Sequence, residues 1–350
     1  MGMTEGRAMG KGEESHPATR KPRRDFLVTG GGGFVGGNFA RLVLRDRPDS
    51  RVTVFDTVSD PTRIPVLRGL PETYPGRYRY VRGAVTDGPF LEKILSGDTF
   101  DAVVHFAARN PSGQAVVEPI DTVRVNVLGT AAVLDALRRL DPNRAIRFLH
   151  LSSYEVYGSH ASGLFRENTD PNPSTPYAAS KCAADELTLA FHRTFGLDAL
   201  VTRTTNIYGP FQSADKLIPS MVRRAMDGRS LPLFGSGDTR RDWIHVDDHN
   251  RGVLCVLDGG KAGEIYHLGA RNEVRNEDLL RRVAERIAAL TGRSRKELLG
   301  RITSVEDRRA HDPRRALDTS KIEGELGYLP SVPFEEGLGD TIQHFVQNEV

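Results

Sequence analysis

The chain has 350 residues, 38% hydrophobic and 27% charged, the proportions of a globular protein long enough to bury one large core or two modest ones. Its 48 Lys and Arg against 46 Asp and Glu give a formal charge of +2, which leaves no electrostatic footprint for nucleic acid or an acidic membrane surface. No run approaches the roughly 18 apolar residues of a membrane span. The two cysteines, Cys182 and Cys255, cannot build a disulfide framework or a structural zinc site, and they fit a cytoplasmic protein.

Residues 1–24 are rich in Gly, Glu, Ser and Arg, carry no apolar period and read as a disordered, solvated arm. The paired arginines of Arg20-Lys21-Pro22-Arg23-Arg24 suggest an export signal, but Phe26-Leu27-Val28 is too short for its apolar region. From Asp25 onward, short apolar runs at 26–29, 52–55, 78–81, 102–106, 146–151 and 199–202 read as strands. Most segments between them have helical spacing, as in Phe39, Leu42 and Val43 or Val133, Leu134, Leu137 and Leu140. Strands alternating with helices predict an α/β fold, a Rossmann-type doubly wound parallel sheet covered on both faces. After Arg203 the pattern is less regular, with helices expected near 248–258, 276–291 and 335–347. The main domain is therefore expected over 25–203, rejoined by about 242–270, with 204–350 mainly a smaller substrate-binding lobe.

The run Phe26-Leu27-Val28-Thr29-Gly30-Gly31-Gly32-Gly33-Phe34-Val35-Gly36 joins the first strand to the first helix. Gly30, Gly33 and Gly36 are spaced for a tight turn that brings a pyrophosphate onto bare backbone at a helix N-terminus. Asp56 closes the second strand, 20 residues past Gly36, where a carboxylate accepts the ribose 2′-hydroxyl and repels a 2′-phosphate. NAD is thus favoured over NADP.

Tyr177 and Lys181 lie at i and i+4 of a predicted helix over 174–195 and share one face. The lysine charge is expected to lower the phenol's pKa, so that the phenolate takes a hydroxyl proton as a carbinol is oxidised. Ser152-Ser153-Tyr154-Glu155-Val156-Tyr157-Gly158 follows the fifth strand, at the end that faces the cofactor crevice. A serine there can relay the proton and a glutamate can act on carbon. His105 and His150 also lie at strand ends, but without metal-ligand spacing, and read as packed or hydrogen-bonded structural residues.

Over roughly 26–347 the chain resembles the extended short-chain dehydrogenases/reductases, specifically the nucleotide-sugar (dTDP-glucose) 4,6-dehydratase family. The resemblance rests on 29–39, His105-Phe106-Ala107-Ala108, 126–130, 152–158 and 174–187. It continues through Asn206-Ile207-Tyr208-Gly209-Pro210, Lys216-Leu217-Ile218-Pro219, Arg241-Asp242-Trp243 with Asp247-Asp248-His249, and Asp307-Arg308 with His311-Asp312. It implies a tightly bound, recycled NAD held by Gly30, Gly33, Phe34, Val35, Gly36, Asp56, Val85, Phe106, Ala107, Ala108, Val125, Tyr177 and Lys181. Tyr177 would take the proton from the sugar O4, directly or through Ser153. Glu155 would remove the C5 proton, and a neighbouring acid would protonate the departing C6 hydroxide. Asn110, Ser153, Asn206, Lys216, Leu217, Pro232, Phe234, Arg241, Asn272, Arg308 and His311 would hold the nucleotide-diphosphate sugar. A homodimer through paired long helices, one of them 174–195, is also implied.

The chain departs from that family's pattern at several positions. Tyr154 stands where the family has its acid Asp, and a phenol is the weaker acid. Arg109-Asn110-Pro111-Ser112-Gly113-Gln114-Ala115 replaces a different family loop beside the sugar. Ala84 replaces an adenine-contacting Asp, Arg309-Ala310 a Pro-Gly, and Arg315 a Tyr. Oxidation at C4 needs only residues that are retained, whereas completion of the dehydration rests on the altered acid. A C4 epimerase stays open, although Glu155 counts against it. So does a nucleotide-uronate decarboxylase, with Arg109 or Arg309 near C6. A non-catalytic NAD-binding sensor would predict damage at Tyr177 or Lys181, and none is present.

Overall fold

The structure, a computed structural model, describes residues 24–110, 118–143, 145–159, 162–306 and 312–348. In chain order its strands are β1 (Asp25–Thr29), β2 (Arg51–Asp56), β3 (Tyr78–Arg82), β4 (Ala102–His105), β5 (Arg147–Leu151), β6 (Ala199–Thr204), β7 (Asn206–Tyr208), β8 (Leu231–Phe234), β9 (Arg240–His245), β10 (Ile265–Leu268), β11 (Glu273–Arg275), β12 (Ile302–Val305) and β13 (Arg314–Arg315). Seven of them form one sheet in the order β10-β6-β5-β4-β1-β2-β3, and every neighbouring pair is parallel. Phe26, Leu27 and Val28, Val103 and Val104, and Ala199 through Val201 are almost completely buried. Such continuous apolar runs belong to a sheet covered on both faces.

β1 pairs with both β2 and β4, so the strand order reverses beside it. In an open α/β sheet the crevice at such a reversal, beyond the strand C-termini, is where a ligand binds. The helix Pro176–Phe195 is delimited by local chemistry: Thr175 Oγ1 accepts from the Ala178 N–H at 3.1 Å, and Gly196 ends the helix at φ 69°.

β10 completes the far edge of the sheet beside β6. Short strands make up the second lobe. β9 pairs parallel with β7 and β13 and antiparallel with β11, while β8 pairs with β12. The three expected late helices are Val246–Gly259, Asn276–Thr291 and Phe334–Gln347. Three others, Leu217–Met226, Arg295–Gly300 and Ser320–Leu326, were not anticipated. In the first of these, Pro219 marks a break in the sequence but sits in the opening turn, where no backbone N–H is required. Ile218, Val222, Trp243, Leu279, Val283, Ile287, Leu338 and Ile342 form the core of this lobe.

Buried histidines tie the sheet to its surroundings. His105 hydrogen-bonds Thr29 Oγ1 at 2.7 Å and Thr130 Oγ1 at 3.1 Å, and His267 bonds the Tyr157 hydroxyl at 2.7 Å. Burial pushes His105 and His267 down to about 3 and His249 down to about 4. Unfolded histidines accept protons near pH 6.5, so below that pH the unfolded chain binds protons that the native one refuses. Stability is expected to be full above about pH 6.5 and to fall below it, by up to about 1.4 kcal/mol per pH unit for each histidine. Urea midpoints measured between about pH 7 and pH 5 check this, and a flat midpoint contradicts it.

Candidate active site

The glycine turn lies at the reversal point. Gly30 donates its N–H to the Phe55 carbonyl at 2.9 Å and accepts from the Gly33 N–H at 3.0 Å. At φ +70°, a Cβ on Gly30 would lie 2.5 Å from the Ala107 amide nitrogen, so the turn presses directly on the Phe106–Ala108 segment. A Cβ on Gly36 would lie 2.6 Å from the Gly30 carbonyl. Gly33 differs from both. It is the N-cap of the helix Phe34–Asp46, no side chain caps that helix, and a Cβ there would meet only the Gly30 carbonyl, at 3.3 Å. Bare backbone N–H groups at an uncapped helix start are what a pyrophosphate requires. Asp56 accepts from the Gly32 N–H at 2.9 Å and the Thr57 N–H at 2.7 Å, which holds its carboxylate at the rim. These residues fit a dinucleotide.

Val85 and Phe106 are buried, and Val125 is half-buried in a π-helical turn, Arg124–Leu128. Asn126 in that turn is a positioning residue that sequence reasoning placed in a motif but gave no role. Its side chain accepts from the Arg109 N–H at 2.6 Å and donates to Ser180 Oγ at 2.9 Å. Ser180 in turn donates to the Tyr177 carbonyl at 2.7 Å. An asparagine inside a helix, where it is a poor former, is the signal that could have found it. Asn110 ends the segment that Asn126 holds, while 111–117 lie outside the described residues.

The catalytic candidates converge where β5 ends. Ser153 caps a short 3₁₀ turn, Tyr154–Tyr157, and its Oγ accepts from the Glu155 N–H at 3.2 Å. The helix Pro176–Phe195 packs on this turn. Lys181, one helical turn beyond Tyr177, donates to the Leu151 carbonyl at 2.6 Å, and burial pushes its ammonium down to about 8.

The structure corrects one expectation. Tyr177 is not lowered by Lys181; burial first, then Glu155 and Asp185, push its phenol well up, and the opposing cation is Arg315. Burial disfavours the charged form of a phenol, and here it outweighs the neighbouring cation.

Beneath the helix, Asp185 and Arg203 form a buried ion pair at 2.9 Å, and Arg203 donates to the Tyr157 hydroxyl at 2.7 Å. The His150 ring is packed here with neither nitrogen hydrogen-bonded, 3.6 Å from Asp185.

Tyr154 is 1% exposed and donates its hydroxyl to Asn206 Oδ1 at 2.9 Å. Burial pushes its phenol well up. Arg315, which the sequence reading noted only as a departure, lies beside it: Nη1 is 3.5 Å from Glu155 Oε2, and the guanidinium stands 5.6 Å from the Tyr154 ring centre. Nothing in the local sequence signals this, because Arg315 arrives on β13, paired to β9.

Arg241 donates to the Arg240 carbonyl at 2.8 Å and the Asp312 carbonyl at 2.7 Å. Asn272 has its backbone fixed by Asp242, with N–H to Oδ1 at 2.6 Å. Lys216 and Leu217 open the helix Leu217–Met226, and Pro232 and Phe234 lie on β8. These residues stand on separate elements of the second lobe. Arg308 and His311, with Arg309, lie outside the described residues.

With this geometry in hand, comparison with known proteins places the chain. It belongs to the family described as GDP-mannose 4,6 dehydratase, which matches residues 27–341. It is 42% identical to a dTDP-glucose 4,6-dehydratase of Streptomyces niveus over 92% of this chain and 93% of that protein. It is 35% identical to dTDP-glucose 4,6-dehydratase 1 of Escherichia coli K12, covering 92% of this chain and 93% of that one. Among solved structures, DesIV, the dTDP-glucose 4,6-dehydratase of Streptomyces venezuelae with NAD bound, superposes with a TM-score of 0.82 at 38% identity, over 93% of this chain and 97% of that one.

Gly33→Val leaves the sheet and its contacts in place but covers the helix start. It is expected to weaken NAD binding by at least about tenfold, roughly 1.4 kcal/mol, with the thermal midpoint of the NAD-free chain little changed. Calorimetric titration checks this, and unaltered affinity would remove the glycine turn from the dinucleotide site.

Proposed function

We propose that the chain is an NAD-dependent nucleotide-sugar 4,6-dehydratase acting on a dTDP-glucose-like substrate and giving a 4-keto-6-deoxy sugar. The observation that carries this reading is the turn Ser153–Glu155 set against Tyr177. A hydroxyl relay, a carboxylate base and a phenol stand together at the crevice end of β5. Bound NAD supplies the acceptor, and later the donor, of one hydride. Tyr177 would take the proton from O4, with Ser153 as the relay; burial keeps its phenol protonated in the cofactor-free chain, so the positive nicotinamide of bound NAD would have to bring it down. Lys181, anchored on Leu151, would hold the nicotinamide ribose. The 4-ketone makes the C5 proton acidic, and Glu155 removes it.

Tyr154 holds its proton and donates it to Asn206, which makes it a weak acid; the proton that turns the departing C6 hydroxide into water would come from Tyr154 or from a bound water.

In this reading residues 25–203 with 242–270 carry NAD through Gly30, Gly33, Gly36, Asp56, Val85, Ala107 and Val125. The remainder of 204–350 carries the nucleotide through Asn206, Lys216, Leu217, Pro232, Phe234, Arg241, Asn272, Arg308 and His311.

The two cysteines, both free, suit the cytoplasm, and fractionation of the native host checks that. A homodimer is supported by Ile120, Val123, Leu128 and Phe195, which are 72%, 43%, 59% and 41% exposed on helical segments that pack together. A sedimentation mass of one chain would remove it.

The reading is tested by incubating the protein with dTDP-glucose, UDP-glucose and UDP-glucuronate in heavy water. The expected product has lost one water and carries deuterium at C5. Loss of carbon dioxide from the uronate alone would assign a decarboxylase, and unchanged mass with inverted C4 an epimerase.

A further inference from the structure

We propose that Arg315 is the positioning residue that aims Glu155 at the sugar C5, so that the proton-abstraction step depends on a strand from the second lobe. This rests on the dehydratase reading for the identity of the step. Glu155 projects from a four-residue 3₁₀ turn, and its side chain is 27% exposed. A carboxylate on a flexible stem, partly open to water, samples many rotamers and pays to be held in one. The turn fixes the backbone, through Ser153 Oγ at 3.2 Å, but not the carboxylate. Among the described residues, the side chain that meets the carboxylate is Arg315, at 3.5 Å.

Arg315 is itself firmly held. It is 6% exposed, and its Nε donates to Asp312 Oδ2 at 3.0 Å, with Nη2 on the same oxygen. The guanidinium carbon lies over the Tyr154 ring, 5.6 Å from its centre, and the planar fork that reaches Asp312 from that position is one a lysine does not reproduce. Its backbone pairs with Arg241 on β9, and the Arg241 guanidinium grips the same segment through the Asp312 and Pro313 carbonyls at 2.7 and 3.4 Å. Tyr154 thus serves as the platform on which the clamp rests.

The oxidation machinery is anchored elsewhere. Tyr177 sits on a helix capped by Thr175, and Lys181 is tied to Leu151. Loss of Arg315 leaves these anchors in place but also removes the cation that opposes the rise of the Tyr177 phenol, so C5 exchange has to be read relative to hydride removal. In the step concerned, the C5–H bond breaks, its proton passes to the Glu155 carboxylate, and the electron pair moves onto the 4-keto group as an enolate. Return of a solvent-exchanged proton from Glu155 to C5 restores the ketone.

The test uses the NAD-loaded protein and dTDP-6-deoxyglucose, which is oxidised at C4 but has no C6 hydroxyl to lose. In heavy water, wild-type protein is expected to wash deuterium into C5. Arg315→Met is expected to slow that wash-in by roughly 100-fold, the usual cost of a misplaced catalytic group. Formation of enzyme-bound reduced nicotinamide should slow far less, by up to about tenfold, since the anchors of Tyr177 and Lys181 are untouched and only a neighbouring cation of the phenol is lost. Arg315→Lys keeps the charge without the forked, planar geometry and should fall between, about tenfold down. Arg315→Lys also guards against a folding defect in Arg315→Met. The assignment is overturned if Arg315→Met exchanges C5 at the wild-type rate, if both readouts fall together in both variants, or if wild type exchanges no C5 proton. If wild type exchanges C5 but dehydrates no dTDP-glucose, the dehydratase reading fails while the Arg315 assignment stands.

Discussion

A side chain on Gly30 would drive its Cβ to 2.5 Å from the Ala107 amide, at a φ of +70° that few L residues adopt. The closeness of β1's turn to the end of β4 at that point is the constraint on which the site depends. It lets the glycine loop fold back over the reversal in strand order and leaves the N-terminus of Phe34–Asp46 uncapped. It also puts Asp56 within reach of the same loop. Every catalytic candidate is then measured from that crevice: Ser153 and Glu155 follow β5, and Tyr177 and Lys181 face it from the helix packed alongside.

Charge is distributed unevenly around this frame. Below the helix, Asp185, Arg203, Tyr157 and His267 form a continuous buried chain with bonds of 2.7 to 2.9 Å. A buried, satisfied network of this kind rigidifies the elements it joins, here the helix Pro176–Phe195, the 3₁₀ turn, β6 and β10. Above it Ser153 and Lys181 are buried, while the Glu155 side chain is 27% exposed. The ammonium is fixed on the Leu151 carbonyl, and in the proposed arrangement the carbon base is aimed from the second lobe.

Much of this was legible in the residues. Each of the six predicted strands lies in the parallel sheet, within two residues of its expected limits, because apolar runs between glycine-rich turns admit few other readings. The glycine spacing, Asp56, and the Tyr177 and Lys181 pair could be read because each depends on local geometry, a turn or one helix face. The second lobe could not be read the same way. β7, β11 and β13 have two or three residues each, too short to show a period. Arg315 is next to Glu155 only through the pairing of β13 with β9, a long-range contact that no spacing encodes. The expected lysine effect on Tyr177 failed for a related reason. Helix spacing puts the two on one face, but how deeply the phenol is buried, which raises it, depends on elements distant in the chain.

The central claim is that one tightly held NAD carries a hydride from C4 to C6 of the same sugar while Glu155 handles the C5 proton. The most direct measurement uses dTDP-glucose bearing deuterium at C4, turned over by the NAD-loaded protein in ordinary water with excess unlabelled NAD present. The account predicts a 4-keto-6-deoxy product with the deuterium at C6 and none in the added cofactor. Deuterium returned to C4, on either face, or washed into the free NAD pool would contradict it.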